Sequence, residues 1–202
     1  NKTLMGNISY QITGLSPFTE NKFTTIGNDF AFPNKILNKK QIARYSKIVT
    51  DIGKKLNKND WKGLFGVDMI MDQKTGQLYL LEINARQPAS TTFESQLQNL
   101  ELKIKNTEVS TFTAHLAALL GIAKGKTELI TVNEGSQIVQ RVTSKISKLN
   151  NFKIKNPAII NILNYNNTTI GADLVRIQCN QTIMEQHNTL NRLGKTISDS
   201  IC

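Results

Sequence analysis

GLFGVDMIMDQKTGQLYLLEINARQPAST, residues 63–91, decides how this chain folds and what it can hold. Two runs rich in Leu, Val, Ile, Tyr and Met flank a turn containing Asp72, Thr75 and Gly76, the pattern of a strand, a turn and a strand. Side chains alternate faces along a strand, so Glu82 and Asn84, two apart, share one. With Lys74-Thr75-Gly76 as the loop and Gly76 in its left-handed position, Gln73 pairs with Gln77. In that register Asp68 lies directly opposite Glu82. Facing carboxylates repel across a ladder, and a divalent cation removes the penalty. A hard ion such as Mg2+ takes oxygen ligands, commonly one or two carboxylates plus substrate phosphates. Asp68, Glu82 and Asn84 are therefore the candidate ligands. A slip of one residue would turn Asp68 to the opposite face. The bland reading of the same pattern is a solvated strand face carrying two acids and an amide.

These residues resemble the metal-binding hairpin of the ATP-grasp superfamily. That hairpin has an acid on one strand, then Glu-x-Asn near the end of the next, often followed by Arg. Here the matching residues are Asp68, Glu82, Asn84 and Arg86. FTTIGNDFAFP, residues 23–33, resembles the upstream segment of carboxylate–amine ligase members, and a helix lies between the two as in the family. The resemblance runs over roughly residues 5–125; the proline that usually follows the metal Asn is Ala85 here.

The resemblance implies an α+β fold equivalent to the second ATP-grasp subdomain: a mostly antiparallel sheet with flanking helices over residues 1–125. A small αβ unit is expected over residues 126–202. ATP and Mg2+ (or Mn2+) are the implied cofactors, with Asp68, Glu82 and Asn84 on the metal. Arg86 is the implied catalytic and nucleotide-side cation. A guanidinium there can hold a carboxylate or acyl-phosphate in a two-pronged contact, and the competing reading is a structural salt bridge. Gln87, Ser90 and Thr91 in the next loop are weaker candidates for an acceptor pocket. The implied partners are a small carboxylate and an amine. The chain starts at Asn1 with no Met, and its first residues already read as mid-fold strand. It therefore reads as the carboxyl-terminal part of a longer enzyme, inactive without an amino-terminal half that carries the phosphate-holding lysines.

Composition bounds these readings. The chain has 202 residues, and 39% hydrophobic content permits a real core. No apolar run approaches the roughly 18 residues of a membrane span. Cys179 and Cys202 have no metal-ligand spacing, and two free thiols in a reducing cytoplasm are the simplest reading. The net charge is +10, much of it in Lys35, Lys39, Lys40, Arg44, Lys47, Lys54, Lys55, Lys58 and Lys62. A solvated helix face explains these. No aromatic platform of the kind used for single strands interleaves them. A positive field also attracts a phosphate-rich ligand such as ATP.

Along the chain, Leu4–Ile12 and Lys22–Ile26 read as strands, with a loop from Pro33. Lys40–Leu56 reads as an amphipathic helix with Ile42, Tyr45, Ile48, Val49, Ile52 and Leu56 inward. Ser90–Asn99 and Thr107–Leu120 read as helices, the second with Val109, Phe112, Leu116 and Leu119 on one stripe and glycines at its end. Gln137–Val142, Ala158–Leu163 and Leu174–Gln178 are strand candidates. Thr182 is placed as the cap of a last helix bearing Ile183, His187, Leu190 and Ile197. His115 and His187 read as satisfied boundary residues, and Asp173 with Arg176 as an ion pair.

The whole predicts an ATP- and Mg2+-dependent ligase that joins a carboxylate to an amine through an acyl-phosphate. Two alternatives stand beside it. One is an inactive ATP-grasp-like nucleotide-binding or regulatory module; the other is a basic RNA-binding α+β domain, supported only by charge.

Overall fold

The computed structural model describes residues 2–101, 105–122, 127–149 and 152–201. In chain order the elements are β1 (Tyr10–Thr13), β2 (Thr25–Asp29), α1 (Phe32–Ile36), α2 (Lys39–Lys58), β3 (Gly66–Met71), β4 (Leu78–Asn84), α3 (Thr91–Asn99) and β5 (Glu108–Val109). They continue with α4 (Thr111–Leu119), β6 (Glu128–Leu129), β7 (Ser136–Arg141), β8 (Ile159–Asn164), β9 (Asp173–Cys179), β10 (Met184–Gln186), β11 (Thr189–Leu190) and α5 (Arg192–Ile201). The class is α+β, and every described strand pairing is antiparallel except β5 with β6. Among the described residues no helix is long and apolar enough to cross a membrane.

The chain forms two compact units: Asn1–Asn7 with Leu37–Thr131, and Ile8–Ile36 with Val132–Cys202. This differs from a division of residues 1–125 from 126–202. The cause is strand pairing. β2 lies between β1 and β7, so Gly27 faces Ile138 and residues 8–36 join the carboxyl-terminal strands rather than the hairpin. The result is one five-stranded sheet in the order β1-β2-β7-β9-β8. Its core gathers Ile12, Phe18, Ile26, Ile138, Val175, Ile177 and Ile183, with Ile197 and Ile201 supplied by α5.

Gly27 is required where β2 meets β7. A Cβ there would stand 2.1 Å from the Gln137 carbonyl oxygen and 3.0 Å from Ile138 Cα, both backbone atoms. Alanine ordinarily suits a strand better than glycine by a fraction of a kcal/mol, but overpacking costs about 1–3 kcal/mol. Gly27→Ala is therefore expected to destabilise the protein by about 2 kcal/mol in urea unfolding. A variant as stable as the wild type would show that the two strands separate freely.

Several expectations shift in detail. The first strand begins at Tyr10 rather than Leu4, and Phe32–Ile36 is a short helix where a loop was expected. Thr182 caps no helix: residues 184–190 form the β10–β11 pair, and α5 starts at Arg192. His187 accordingly lies in that hairpin, with its Nδ1 2.8 Å from the Tyr10 hydroxyl. The stripe on α4 also faces the other way from a core stripe. Phe112, Leu116 and Leu119 are exposed, while Ala114, His115, Ala117 and Ala118 are half-buried. Small side chains let that helix face approach its neighbours closely, and His115 Nδ1 accepts the Leu64 N–H at 3.1 Å. Gly121 ends the helix with φ +71°. Gly125 and Cys202 lie outside the described residues.

Asp173 pairs with Arg176 at 3.0 Å, as expected, and also with Arg141 from β7. Cys179 is a buried free cysteine. Burial, with a smaller contribution from the charge of Asp29, pushes its thiol up to about 12 against a lowering bond from Ser136. It is no nucleophile at neutral pH, because the thiolate is the reactive form.

Candidate active site

The site is built on the β3–β4 hairpin of the first unit. Asp72 organises the turn: its Oδ1 accepts the N–H groups of Lys74 at 2.9 Å and Thr75 at 2.7 Å, and the Thr75 hydroxyl at 2.9 Å. Gly76 takes φ +68° and returns its N–H to the Asp72 carbonyl at 2.8 Å. The ladder closes with Asp72 N–H to Gln77 O, so the loop is Gln73–Gly76 and not Lys74–Gly76. Met71 then faces Leu78, Ile70 faces Tyr79 and Met69 faces Leu80, one step off the register expected from sequence.

Between Met69 and Asp68 the register shifts. Leu81 is the extra residue, and beyond it Asp68 faces Glu82, Val67 faces Ile83 and Gly66 faces Asn84. A bulge of this kind re-aims the side chains beside it. The expected pairing of Asp68 with Glu82 is present, reached through a longer loop and a compensating bulge. Asn84 reaches the same face, its Nδ2 3.4 Å from Asp68 Oδ2. That separation is beyond the usual range for a strong N–H···O bond, and turning the amide by half a revolution presents its oxygen instead.

Two facing carboxylates and an amide form a donor set suited to a hard divalent cation. Glu82 is exposed, and among the described residues it has no basic partner. No group of three or more His, Cys, Asp or Glu side chains suited to a metal occurs among the described residues. Any cation here therefore depends on the Asn84 oxygen and on ligands from outside this hairpin, as Mg2+ at phosphates commonly does.

Helix α2 packs on the hairpin through Gln41 and Tyr45. Asn38 and Gln41 form a reciprocal capping box at its start, which satisfies N–H groups that the first turn leaves without partners. Its apolar stripe faces inward as the spacing implied, and Lys39, Arg44, Lys47 and Lys55 are exposed. Tyr45, on that stripe, donates its hydroxyl to the Val67 carbonyl at 2.9 Å. Burial and then the negative charge of Asp68 push the Tyr45 hydroxyl up to about 12, so it stays protonated and remains a donor. Apolar periodicity places Tyr45 inward, but no sequence signal names its partner.

β4 ends at Asn84. The Arg86 N–H donates to the Asn84 carbonyl at 2.8 Å, a tight turn about Ala85. Arg86 thus leaves the strand before its own position, and does not extend the ligand face as a continued strand would. It is exposed, and among the described residues it has no ion-pair partner. Pro88 folds back toward Gly66, where an added Cβ would lie 3.2 Å from the proline ring. Of the loop candidates, Gln87 is exposed and Ser90 half-buried; Thr91 is buried at the start of α3.

The second unit holds a carboxylate of a different kind. Asp29 is fully buried. Its Oδ1 accepts from Ala31 N at 3.0 Å and Phe32 N at 2.9 Å. Its Oδ2 accepts from the Thr182 hydroxyl at 2.7 Å, Ile183 N at 2.9 Å and Met184 N at 3.2 Å. With its lone pairs committed to five donors, Asp29 holds structure and is not placed to ligate a cation.

Comparison with known proteins agrees with this architecture. The chain has an ATP-grasp-like fold. It superimposes on N5-carboxyaminoimidazole synthetase from Staphylococcus aureus, crystallised with ADP, with a TM-score of 0.55 and 15% sequence identity. The match covers 90% of this chain and 42% of that one, so the chain spans about two-fifths of that synthetase. No family profile and no curated protein sequence matches the chain. A likeness at 15% identity describes the fold alone.

Proposed function

We propose that this chain is the metal-holding part of an ATP- and Mg2+-dependent ligase that joins a carboxylate to an amine through an acyl-phosphate. The observation that carries the reading is the hairpin face, where Asp68 stands opposite Glu82 with the Asn84 amide beside Asp68. The ATP-grasp-like fold and the ADP bound to the S. aureus synthetase support a nucleotide as the phosphate source. Asp68, Glu82 and Asn84 would hold Mg2+, which supplies neutralisation of charge on the phosphates. In the proposed sequence a carboxylate oxygen of the acid attacks the γ-phosphorus and ADP leaves. The amine then adds to the acyl carbon, and phosphate departs with that oxygen. The work of this chain is positioning and electrostatic stabilisation rather than base catalysis.

The test is ADP release by the full-length protein supplied with ATP, Mg2+ and a panel of small carboxylates, with hydroxylamine as a trap. Release that requires an acid, together with a hydroxamate of the same acid, is the expected result. ADP release indifferent to every acid, or none at all across the panel, would overturn the reading.

Arg86 is proposed to hold the acid substrate by its planar fork. Lysine keeps the charge and loses that geometry. Arg86→Lys is thus expected to lower kcat/KM for the acid by about tenfold or more while Mg2+ dependence stays normal. A fully active Arg86→Lys enzyme would remove Arg86 from substrate binding.

A further inference from the structure

Helix α2 grips the hairpin at two points one helical turn apart. Gln41 Nε2 donates to the Gly76 carbonyl in the turn at 2.9 Å and lies 3.3 Å from Met71 Sδ. Its Oε1 meanwhile accepts the Asn38 N–H at 2.8 Å, so one side chain ties the helix start to the hairpin tip. Tyr45, four residues on and so on the same helix face, takes the Val67 carbonyl near the other end of β3.

The spacing of these grips matters because of the bulge at Leu81. The irregularity falls between the Asp68–Glu82 and Met69–Leu80 pairs, beside the two acids. A bulge locally interrupts the ladder. The regular pairing from the turn up to Met69 therefore does not by itself fix where Asp68 stands against Glu82. The next residue along β3 is Val67, and its carbonyl is the one that Tyr45 holds. The side chains of Val67 and Asp68 point to opposite faces, while the Tyr45 hydroxyl that holds the Val67 carbonyl is near enough to Asp68 to feel its charge.

We propose that Tyr45 is a positioning residue for the cation-holding face: its bond to the Val67 carbonyl fixes the β3 backbone beside the bulge and sets Asp68 against Glu82 and Asn84. The proposal rests on the cation reading of the hairpin given above. Tyr45 touches neither substrate nor ion. It acts through the backbone of the residue before Asp68, as outer groups that orient ligands do.

The experiment is a Mn2+ titration of the full-length protein, followed by loss of the free-ion electron paramagnetic resonance signal. It is run on the wild type and on Tyr45→Phe, Asp68→Asn and Val49→Ala, each with its melting temperature. Val49 is buried on α2 one turn beyond Tyr45, has no side-chain hydrogen-bonding group to hold the hairpin, and serves as a control for general loosening. Tyr45→Phe is expected to weaken Mn2+ binding by about tenfold or more, with Asp68→Asn weaker still and Val49→Ala near the wild type. Wild-type Mn2+ affinity in Tyr45→Phe, with affinity lost in Asp68→Asn, would overturn the positioning role and leave the cation site standing. Unchanged affinity in Asp68→Asn would instead sink the cation site itself. An equal loss in Val49→Ala would reduce the Tyr45 effect to loosening of the helix, which also overturns the proposal.

Discussion

Replacing Glu82 with glutamine is expected to lower turnover at saturating ATP and Mg2+ by roughly 10²- to 10³-fold, the range for loss of one electrostatic stabiliser. The amide keeps the size and hydrogen-bonding reach of the carboxylate but cannot neutralise a divalent ion. The same substitution removes one of two like charges facing each other across the ladder, an arrangement that destabilises the pair. The melting temperature should therefore stay level or rise slightly while activity collapses. That opposed pair of results separates a ligand from a structural carboxylate. Turnover at the wild-type rate would remove Glu82 from the site. A large fall in melting temperature would refer the lost activity to folding.

Asp29 is expected to behave in the opposite way. Asp29→Ala deletes the acceptor for four backbone or hydroxyl donors at or below 3.0 Å and a fifth at 3.2 Å. Four of the donors then belong to buried residues with no carboxylate to meet them, while the half-buried Thr182 hydroxyl keeps the Met184 carbonyl at 3.2 Å. An unsatisfied buried donor costs about 1–3 kcal/mol, and partial relaxation keeps the sum below simple addition. The expected loss is about 4 kcal/mol, a large share of the roughly 5–15 kcal/mol that holds a domain folded. Asp29→Asn should recover part of this, because its remaining oxygen serves one set of donors while its NH2 opposes the other. Urea unfolding measures both variants. Loss of less than about 1 kcal/mol in Asp29→Ala would mean that water replaces the carboxylate at little cost. Asp29 joins the start of α1 to the segment before β10, so its loss should fall on the five-stranded unit.

What the sequence determined by itself were the features carried by short-range periodicity. The alternation on either side of Asp72–Gly76 specified the hairpin, and the 3.6-residue spacing of Ile42, Tyr45, Val49 and Leu56 specified α2 and its inward face. The hairpin with its Glu-x-Asn-x-Arg run also carried the resemblance that the fold comparison supports. The facing of Asp68 and Glu82 was legible too, although by a route the molecule does not take. Sequence spacing implied a loop of Lys74–Gly76 with a regular ladder; the structure has a loop of Gln73–Gly76 with a bulge at Leu81, and the two offsets cancel.

Only the tertiary structure decided the rest. Nothing local in residues 8–36 shows that β2 will pair with β7, more than a hundred residues away, so the division into two units could not be read from composition or turn signals. The outward stripe of α4 has the same period as an inward one. Which face is buried depends on the surface it meets, and here the half-buried face carries Ala114, His115, Ala117 and Ala118. The segment from Thr182 to Leu190 carries apolar residues at helical spacing, yet Asp29 draws its backbone N–H groups at Ile183 and Met184 into an extended path. Tyr45 and Asp29 share one physical reason for escaping a reading of the sequence. Tyr45 through Val67, and Asp29 through Ile183 and Met184, act on backbone groups distant in the chain, and backbone groups are the same at every position until the fold selects which of them come together.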